Sequence, residues 1–562
     1  MLLPDDKTKE LILKDKLVSQ KDLVVAEALA KSTKTPLSQA LLDKGFLTDE
    51  KLGELTASYL GVPFIILAQQ TIGEDLARII PEKVARRQKA FAFARDAKEV
   101  KVAMADPKNA KLLAFVTTKT GLKASAYYAT DKDIEGTINL YKKLLQKTID
   151  ELLKEDINNV VGRPSWDEVP VAKIVEELIR SAYNDRASDI HLEPEELGSL
   201  VRFRIDGVLQ DVVMMPKHLH DRFVTRIKVL SNLRTDEHLS AQDGKMHLPL
   251  EEEDLDIRVS IIPVAYGEKV VLRLLSSKSR EFTLSDLGMN DEDLKKVTNA
   301  FGKSYGMVLS TGPTGSGKTT SIYAILKILN TRGKNITTIE DPIEYRIKGA
   351  NQIQVNVKTN LTFANGLRSI LRQDPNIIFV GEIRDSETAG IAVNAALTGH
   401  LVLSTLHTSD AATAIPRLMD MKVEPYLVAS TVNVIIAQRL VRKICDSCRT
   451  KVSYAYDELV RHTSREVIDK YLGKKSEIQV FKGGGCKICR STGYSGRVGI
   501  FEVLEVSKNI KKLVDEKADA ELIESAARKE GMKTMLEDGL EKVAKGVTTI
   551  EEVIRATKVE TL

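Results

Sequence analysis

The chain is short of aromatic residues, which make up 5% of its 562 positions, with a single tryptophan. Channels that track single-stranded nucleic acid interleave aromatic platforms with basic residues, and no such pattern is visible. An excess of one charge is lacking too. The 83 lysines and arginines face 79 acids, leaving +4, which gives no footprint for a polyanion. A nucleic-acid translocase is therefore the weaker expectation, and no nucleic-acid partner is predicted. No run of about 18 apolar residues occurs, so no membrane span is expected. The start, Met1-Leu-Leu-Pro-Asp-Asp6, is acidic and shows no secretory signal. Cysteine is scarce, and its four copies are not scattered as in a secreted disulfide protein. These absences predict a cytoplasmic chain that reaches a membrane only through partners.

Hydrophobic residues at 43% and charged residues at 29% describe a globular chain. Its length allows roughly three or four domains. Residues 1–144 suggest an N-terminal domain of short amphipathic helices followed by short strands. Leu11–Gln20 resembles Gln39–Thr48, a weak repeat in which each copy ends at a cap-like Ser19 or Thr48. Val100–Pro107 alternates and stops at the proline. Ile138–Ile157 predicts a helix rich in lysine and leucine, and 145–168 a linker. Val171–Tyr183 predicts an amphipathic helix. Strand patterns then follow at 189–193, 200–205, 255–262 and 269–275, a small α+β domain over 169–276. From 277 to 562 strands and helices alternate, as in a parallel sheet.

The strongest local signal is Gly312, Pro313, Thr314, Gly315, Ser316, Gly317, Lys318 and Thr319, followed by Thr320. It fits GxxxxGK[ST] at every fixed position, between the apolar strand Met307–Leu309 and the helical pattern Ser321–Leu329. Glycines let the backbone curl so that N–H groups converge on phosphate oxygens, and the helix start adds partial positive charge. Lys318 can reach the β- and γ-phosphates and the Thr319 hydroxyl can ligate Mg²⁺, which predicts a triphosphate as the ligand.

Three further motifs follow. Ile336–Glu344 is a strand ending in Glu340, Asp341 and Glu344, either glutamate being able to position an attacking water. Ile377–Asp385 is an apolar strand presenting Glu382 toward a metal-bound water, with Gly381 where many ATPases place Asp. Gly399–Thr408 is a strand flanked by His400 and His407, and His407 is the candidate γ-phosphate sensor. In this order the four motifs resemble the type II/IV secretion ATPase superfamily, over about 170–505. The resemblance implies a RecA-like P-loop domain, a PAS-like α+β domain before it, and a homohexameric ring that hydrolyses ATP between subunits. It also implies that Arg202 and Arg204, with Arg258 or Arg273, close over the nucleotide phosphates.

Cys445, Cys448, Cys486 and Cys489 form C-x₂-C-x₃₇-C-x₂-C. Four thiolates suit tetrahedral Zn²⁺ in a closed, structural site, within an insert at about 442–495. Gly483-Gly-Gly485 allows the tight knuckle before Cys486. Such an insert is similar to that of the pilus-extension and secretion members of the superfamily. Pilus extension implies an inner-membrane platform protein and cytoplasmic alignment proteins as partners; type II secretion is the alternative. Residues 1–140 resemble the MshEN-type domain, which in some members binds cyclic di-GMP. Pro36 and Ser38 replace that domain's Arg and Gly, and Lys16 its central Gly in the first copy.

Overall fold

Four short helices open the chain: Asp5–Lys14, Gln20–Thr33, Leu37–Asp43 and Asp49–Leu60. In this computed structural model the described residues are 3–138, 171–275 and 282–557, apart from 16, 34–35, 44–45, 71, 73, 78, 81, 97, 251–252, 462, 487–488 and 490. The linker expected at 145–168, nearly all of the helix expected at 138–157, and Lys16 lie outside them. Both cap-like residues do their work. Ser19 Oγ accepts the Asp22 N–H at 3.2 Å and Thr48 Oγ1 the Lys51 N–H at 3.3 Å. Ile12, Leu23, Ala26, Leu41 and Leu55 form the apolar centre of this region.

A three-stranded sheet follows, made of β1 (Ala90–Arg95), β2 (Glu99–Met104) and β3 (Lys123–Tyr128) in that order. The β1–β2 pair is antiparallel and joined tightly. The β2–β3 pair is parallel and needs a crossover, supplied by helix Ala110–Thr120.

Beyond helix Val171–Asn184 lies an antiparallel six-stranded sheet. Its strands are β4 (Asp189–Pro194), β5 (Gly198–Ile205), β6 (Val208–Pro216), β7 (Gln242–Pro249), β8 (Asp254–Val264) and β9 (Gly267–Leu275), in the order β6-β5-β4-β9-β8-β7. The pleat sorts the residues. Leu255, Ile257, Val259 and Ile261 of β8 are buried on one face, and Asp256, Arg258 and Ser260 take the other. Register places Arg204, Asp189, Arg273 and Arg258 side by side across that polar face, with Arg202 opposite His191. The sequence pattern does not announce β6 and β7. Both are edge strands, and polar residues such as Gln210, Asp211, Lys245 and His247 break their apolar alternation, as edges require.

The C-terminal domain is built on seven strands: β10 (Gly306–Thr311), β11 (Ile336–Glu340), β12 (Ala350–Gln354), β13 (Ile377–Val380), β14 (Leu401–Leu406), β15 (Val432–Ile444) and β18 (Tyr494–Glu505). Their order is β12-β11-β13-β14-β10-β15-β18. All neighbours are parallel except β15 and β18. Strands β10, β11, β13 and β14 are buried at every residue, because crossover helices cover both faces. Met307 and Leu309 face one apolar core, Val308 the other. Fully burying each of these is worth about 1.5–3 kcal/mol. Between β15 and β18 the chain makes an antiparallel hairpin of β16 (Arg449–Ala455) and β17 (Glu477–Gly483), carried on an apolar cluster around Ile468, Val480 and Val543.

Candidate functional site: a phosphate loop at the strand ends

Because the central parallel strands are buried along their whole length, a ligand can meet them only at their ends. Those ends are where ligands sit in open α/β sheets. Strand β10 runs into Gly312, and the helix begins at Lys318. Gly312, Gly315 and Gly317 have φ of +142°, +79° and +88°, backbone that a side chain would strain. A Cβ on Gly312 would also sit 2.5 Å from the carbonyl oxygen of Gln438. Pro313, Thr314 and Gly315 are exposed at the crest, Thr319 and Thr320 half-buried at the helix start, and Ser316 buried beneath. The Ser316 hydroxyl has no hydrogen-bond partner among the described residues.

Lys318 folds back on the loop, donating to the carbonyl oxygens of Gly312 at 2.7 Å and Pro313 at 3.0 Å. Burial pulls its ammonium below the usual lysine range, and the nearby Glu382 carboxylate opposes that. Glu382 follows β13, with its side chain 12% exposed. Arg384 Nε lies 2.7 Å, and His407 Nε2 3.2 Å, from its Oε2. The structure thus gathers Lys318, Glu382, Arg384 and His407 from three strand ends. Gly381 precedes Glu382 because β11 runs so close that a Cβ would lie 3.2 Å from Glu340 Cα. The other acid of this segment, Asp385, caps the next helix through the Thr388 N–H at 2.8 Å. His400 is tied to the Ala395 carbonyl, its Nδ1 at 3.0 Å.

The two glutamates after β11 differ. Glu340 is 2% exposed and accepts from Tyr323 Oη, from Thr338 Oγ1 at 2.6 Å and from Gln352 Nε2 at 3.1 Å. Burial raises its pKa above the ordinary glutamate value, although those donors pull the other way. Glu344 is half-exposed and sits 3.3 Å from Arg258 Nη2, which also donates to the Ile343 carbonyl at 2.7 Å. Arg258 is thus the small-domain arginine that reaches the motif carboxylates. Arg202 is paired with Glu193 at 2.6 Å, Arg204 with Asp189 at 3.5 Å and Arg273 with Asp189 at 2.9 Å. These three ion pairs all lie within their own sheet. A second tie joins the small domain to the rest, from the Gly496 N–H to Asp206 Oδ2 at 2.8 Å.

The ligand atoms of Cys445, Cys448, Cys486 and Cys489 lie within 4.8 Å of one another. The sulfurs of Cys486 and Cys489 are 3.7 Å apart. A Zn–S bond of about 2.3 Å puts tetrahedral sulfurs about 3.8 Å apart, so the four thiols fit that ion. The Cys486 N–H points at Cys489 Sγ, 3.1 Å away, as a donor to a thiolate would. Gly483 is required by contact: its Cβ would fall 2.0 Å from the Gly493 carbonyl oxygen, which itself accepts from the Cys445 N–H at 2.9 Å.

Sequence inspection assigns no role to Gln438, Tyr323 or Arg384. Gln438 had one visible signal, an amide directly after the apolar run Val434–Ala437 of β15.

The geometry agrees with comparison to known proteins. Residues 165–555 match the type II/IV secretion system protein family, and residues 60–146 match the MshEN domain. Over 560 residues, 98% of both chains, the protein is 37% identical to the type IV pilus assembly ATPase PilB of Myxococcus xanthus. Over 563 residues, again 98% of both, it is 38% identical to the type II secretion system protein E of Xanthomonas campestris pv. campestris. The Legionella pneumophila ATPase DotB shares the fold, with a TM-score of 0.51 and 22% identity over 68% of this chain and 94% of that one. With its phosphate loop, the two acidic strand ends and a family match covering most of its length, the chain belongs to the type II/IV secretion system protein family, as an ATP-hydrolysing member.

Proposed function

We propose that the protein is the motor ATPase of type IV pilus assembly. It works as a homohexameric ring in the cytoplasm, against an inner-membrane platform protein and its cytoplasmic alignment partners. The observation that carries the motor is the Arg258–Glu344 contact, which joins the small domain to the acidic segment after β11 of the ATPase domain.

The N–H groups of residues 312–319 cradle the β- and γ-phosphates, and Lys318 exchanges two loop carbonyls for phosphate oxygens. Thr319 would hold Mg²⁺, which supplies charge neutralisation at the phosphates. Glu382 orients water on that side, and His407, in contact with Glu382, reads the γ-phosphate. Of the two glutamates at β11, Glu344 positions the attacking water; Glu340, walled in by three donors, holds the strand end in shape. Arg258, joined on closure by Arg202 and Arg204, stabilises charge on the transferring phosphoryl group. Differential contacts to ATP and ADP then drive the small domain against the ATPase domain. The connection 277–284 is the proposed hinge; its residues 277–281 lie outside those described. Cys445, Cys448, Cys486 and Cys489 would hold Zn²⁺ as a structural centre, and the MshEN match supports cyclic di-GMP as a ligand of the N-terminal domain.

The test is hydrolysis by the purified hexamer. Lys318→Ala and Glu382→Ala should each abolish turnover, and near-normal rates in either would refute these roles. The full-length similarity to a type II secretion protein E favours exoprotein secretion as the second reading. Deleting the gene separates the two: loss of surface pili and twitching supports the first, whereas retained pili with lost exoprotein secretion supports the second.

A further inference from the structure

Gln438 is 2% exposed, yet its amide touches all three parts of the phosphate-loop motif. Nε2 donates to the carbonyl oxygen of Ser316, in the loop, at 2.8 Å. Oε1 accepts from the hydroxyl of Ser321, in the following helix, at 2.7 Å, and at 3.5 Å from that of Ser310, in β10. The loop also wraps this residue closely: a Cβ on Gly317 would lie 3.1 Å from the same Nε2.

The chemistry admits few substitutes. A carbonyl can only accept, so the group facing Ser316 must donate, while the two serines need an acceptor. An amide supplies both ends; a carboxylate supplies one and a thioether no donor. The consequence runs through the peptide plane. In a trans peptide the C=O of residue 316 and the N–H of residue 317 point in opposite directions. Holding the Ser316 oxygen toward β15 turns the Gly317 N–H away from β15, into the cradle. Were that peptide to flip, the cradle would present an oxygen to phosphate instead of a hydrogen.

We infer that Gln438 is a positioning residue for phosphate binding, one that presets the Ser316–Gly317 peptide so that the Gly317 N–H meets the nucleotide. The inference rests on ATP binding at residues 312–319. It is tested on the full-length protein with a fluorescent ADP analogue, ATPase kinetics and the thermal midpoint without nucleotide. Gln438→Met and Gln438→Glu should each weaken nucleotide affinity and raise KM for ATP by about tenfold or more, with kcat reduced less. Ser321→Ala, which frees the amide to rotate, should weaken affinity by about threefold. A Gln438→Met protein with a lowered thermal midpoint but wild-type affinity and KM would show a packing role and overturn the inference. If the Gln438 variants do not fold, unchanged affinity in Ser321→Ala overturns it. Lys318→Ala is the control: wild-type affinity there would sink nucleotide binding at the loop itself.

Discussion

The two large sheets solve the same problem in opposite ways. The seven-stranded sheet is parallel, and four of its strands are buried at every residue. Chemistry is therefore pushed to the strand ends, where Lys318, Glu344, Glu382 and His407 sit. The six-stranded sheet is antiparallel with one polar face, so its arginines lie along the strands and neutralise neighbouring acids. The strand-end groups hold one another or loop carbonyls, contacts that a ligand can replace. The arginines of the pleated face are paired with acids of their own sheet, and a ligand must win them from Glu193 or Asp189. Arg258 is the exception, because it reaches out of its sheet to Ile343 and Glu344.

The sharpest way to break this contrast lies in the two glutamates. Glu344→Gln should lower turnover by about a hundredfold or more with little change in thermal midpoint. Glu340→Gln keeps the acceptances from Thr338 and Gln352 at its one oxygen, turns the Tyr323 contact into a donation from its amide, and should cost less than about tenfold. The reverse order, read from steady-state rates, would place the chemistry inside the strand. Stripping the cysteine insert of metal comes next. A chelator, or Cys448→Ser, should release about one zinc per chain and lower the thermal midpoint by several degrees, since metal binding there is folding energy. A chain without zinc and with an unchanged midpoint would refute the structural role. Arg258→Ala should then reduce turnover by about tenfold, and Arg202→Ala by less; equal losses would erase the distinction between the two arginines.

The smallest expected effect is a pH dependence within the parallel sheet's own packing. Burial lifts the Glu502 carboxyl on β18 to about 7, against an ordinary 4.5, although the Ala411 N–H bonded to it pulls the other way. The folded state therefore binds a proton that the unfolded chain has released, and stability falls as pH rises from 4.5 to about 7. Glu502→Gln should remove that decline, gaining on the order of 3 kcal/mol at most above pH 7 and nothing near pH 4. Denaturant melts at the two pH values check it; equal gains at both would refute the assignment.

Much of this was legible in the sequence because local signals coincide with local structure. Gly312–Thr319 needs left-handed glycines in fixed register, and any chain carrying that spacing between strand and helix declares itself. Strand 377–380 declares itself by an unbroken apolar run, and 306–311, 336–340 and 401–406 by apolar and β-branched residues mixed with Ser and Thr. Pairings across the chain were not legible. That Arg202 and Arg204 face Glu193 and Asp189 follows from strand register, and that Glu340 is walled in by Tyr323 and Gln352 follows from three segments meeting. Gln438 reaches Ser316 across 122 positions, and nothing local in β15 points to that partner. Edge strands β6 and β7 escaped for a different reason, since solvent on one side erases the apolar pattern by which a strand is recognised.

One strand has a mechanical meaning. β15 passes beneath the nucleotide cradle at Gln438, is clamped at Arg442 by Glu552 at 2.7 Å, and runs to Ile444, next to the first thiol of the cysteine cluster. Seven residues of extended chain span about 23 Å, and over them the strand is hydrogen-bonded along one edge, to β18. A displacement of Gln438 along the strand axis would therefore reach Cys445, the neighbour of its last residue, without passing through a loop.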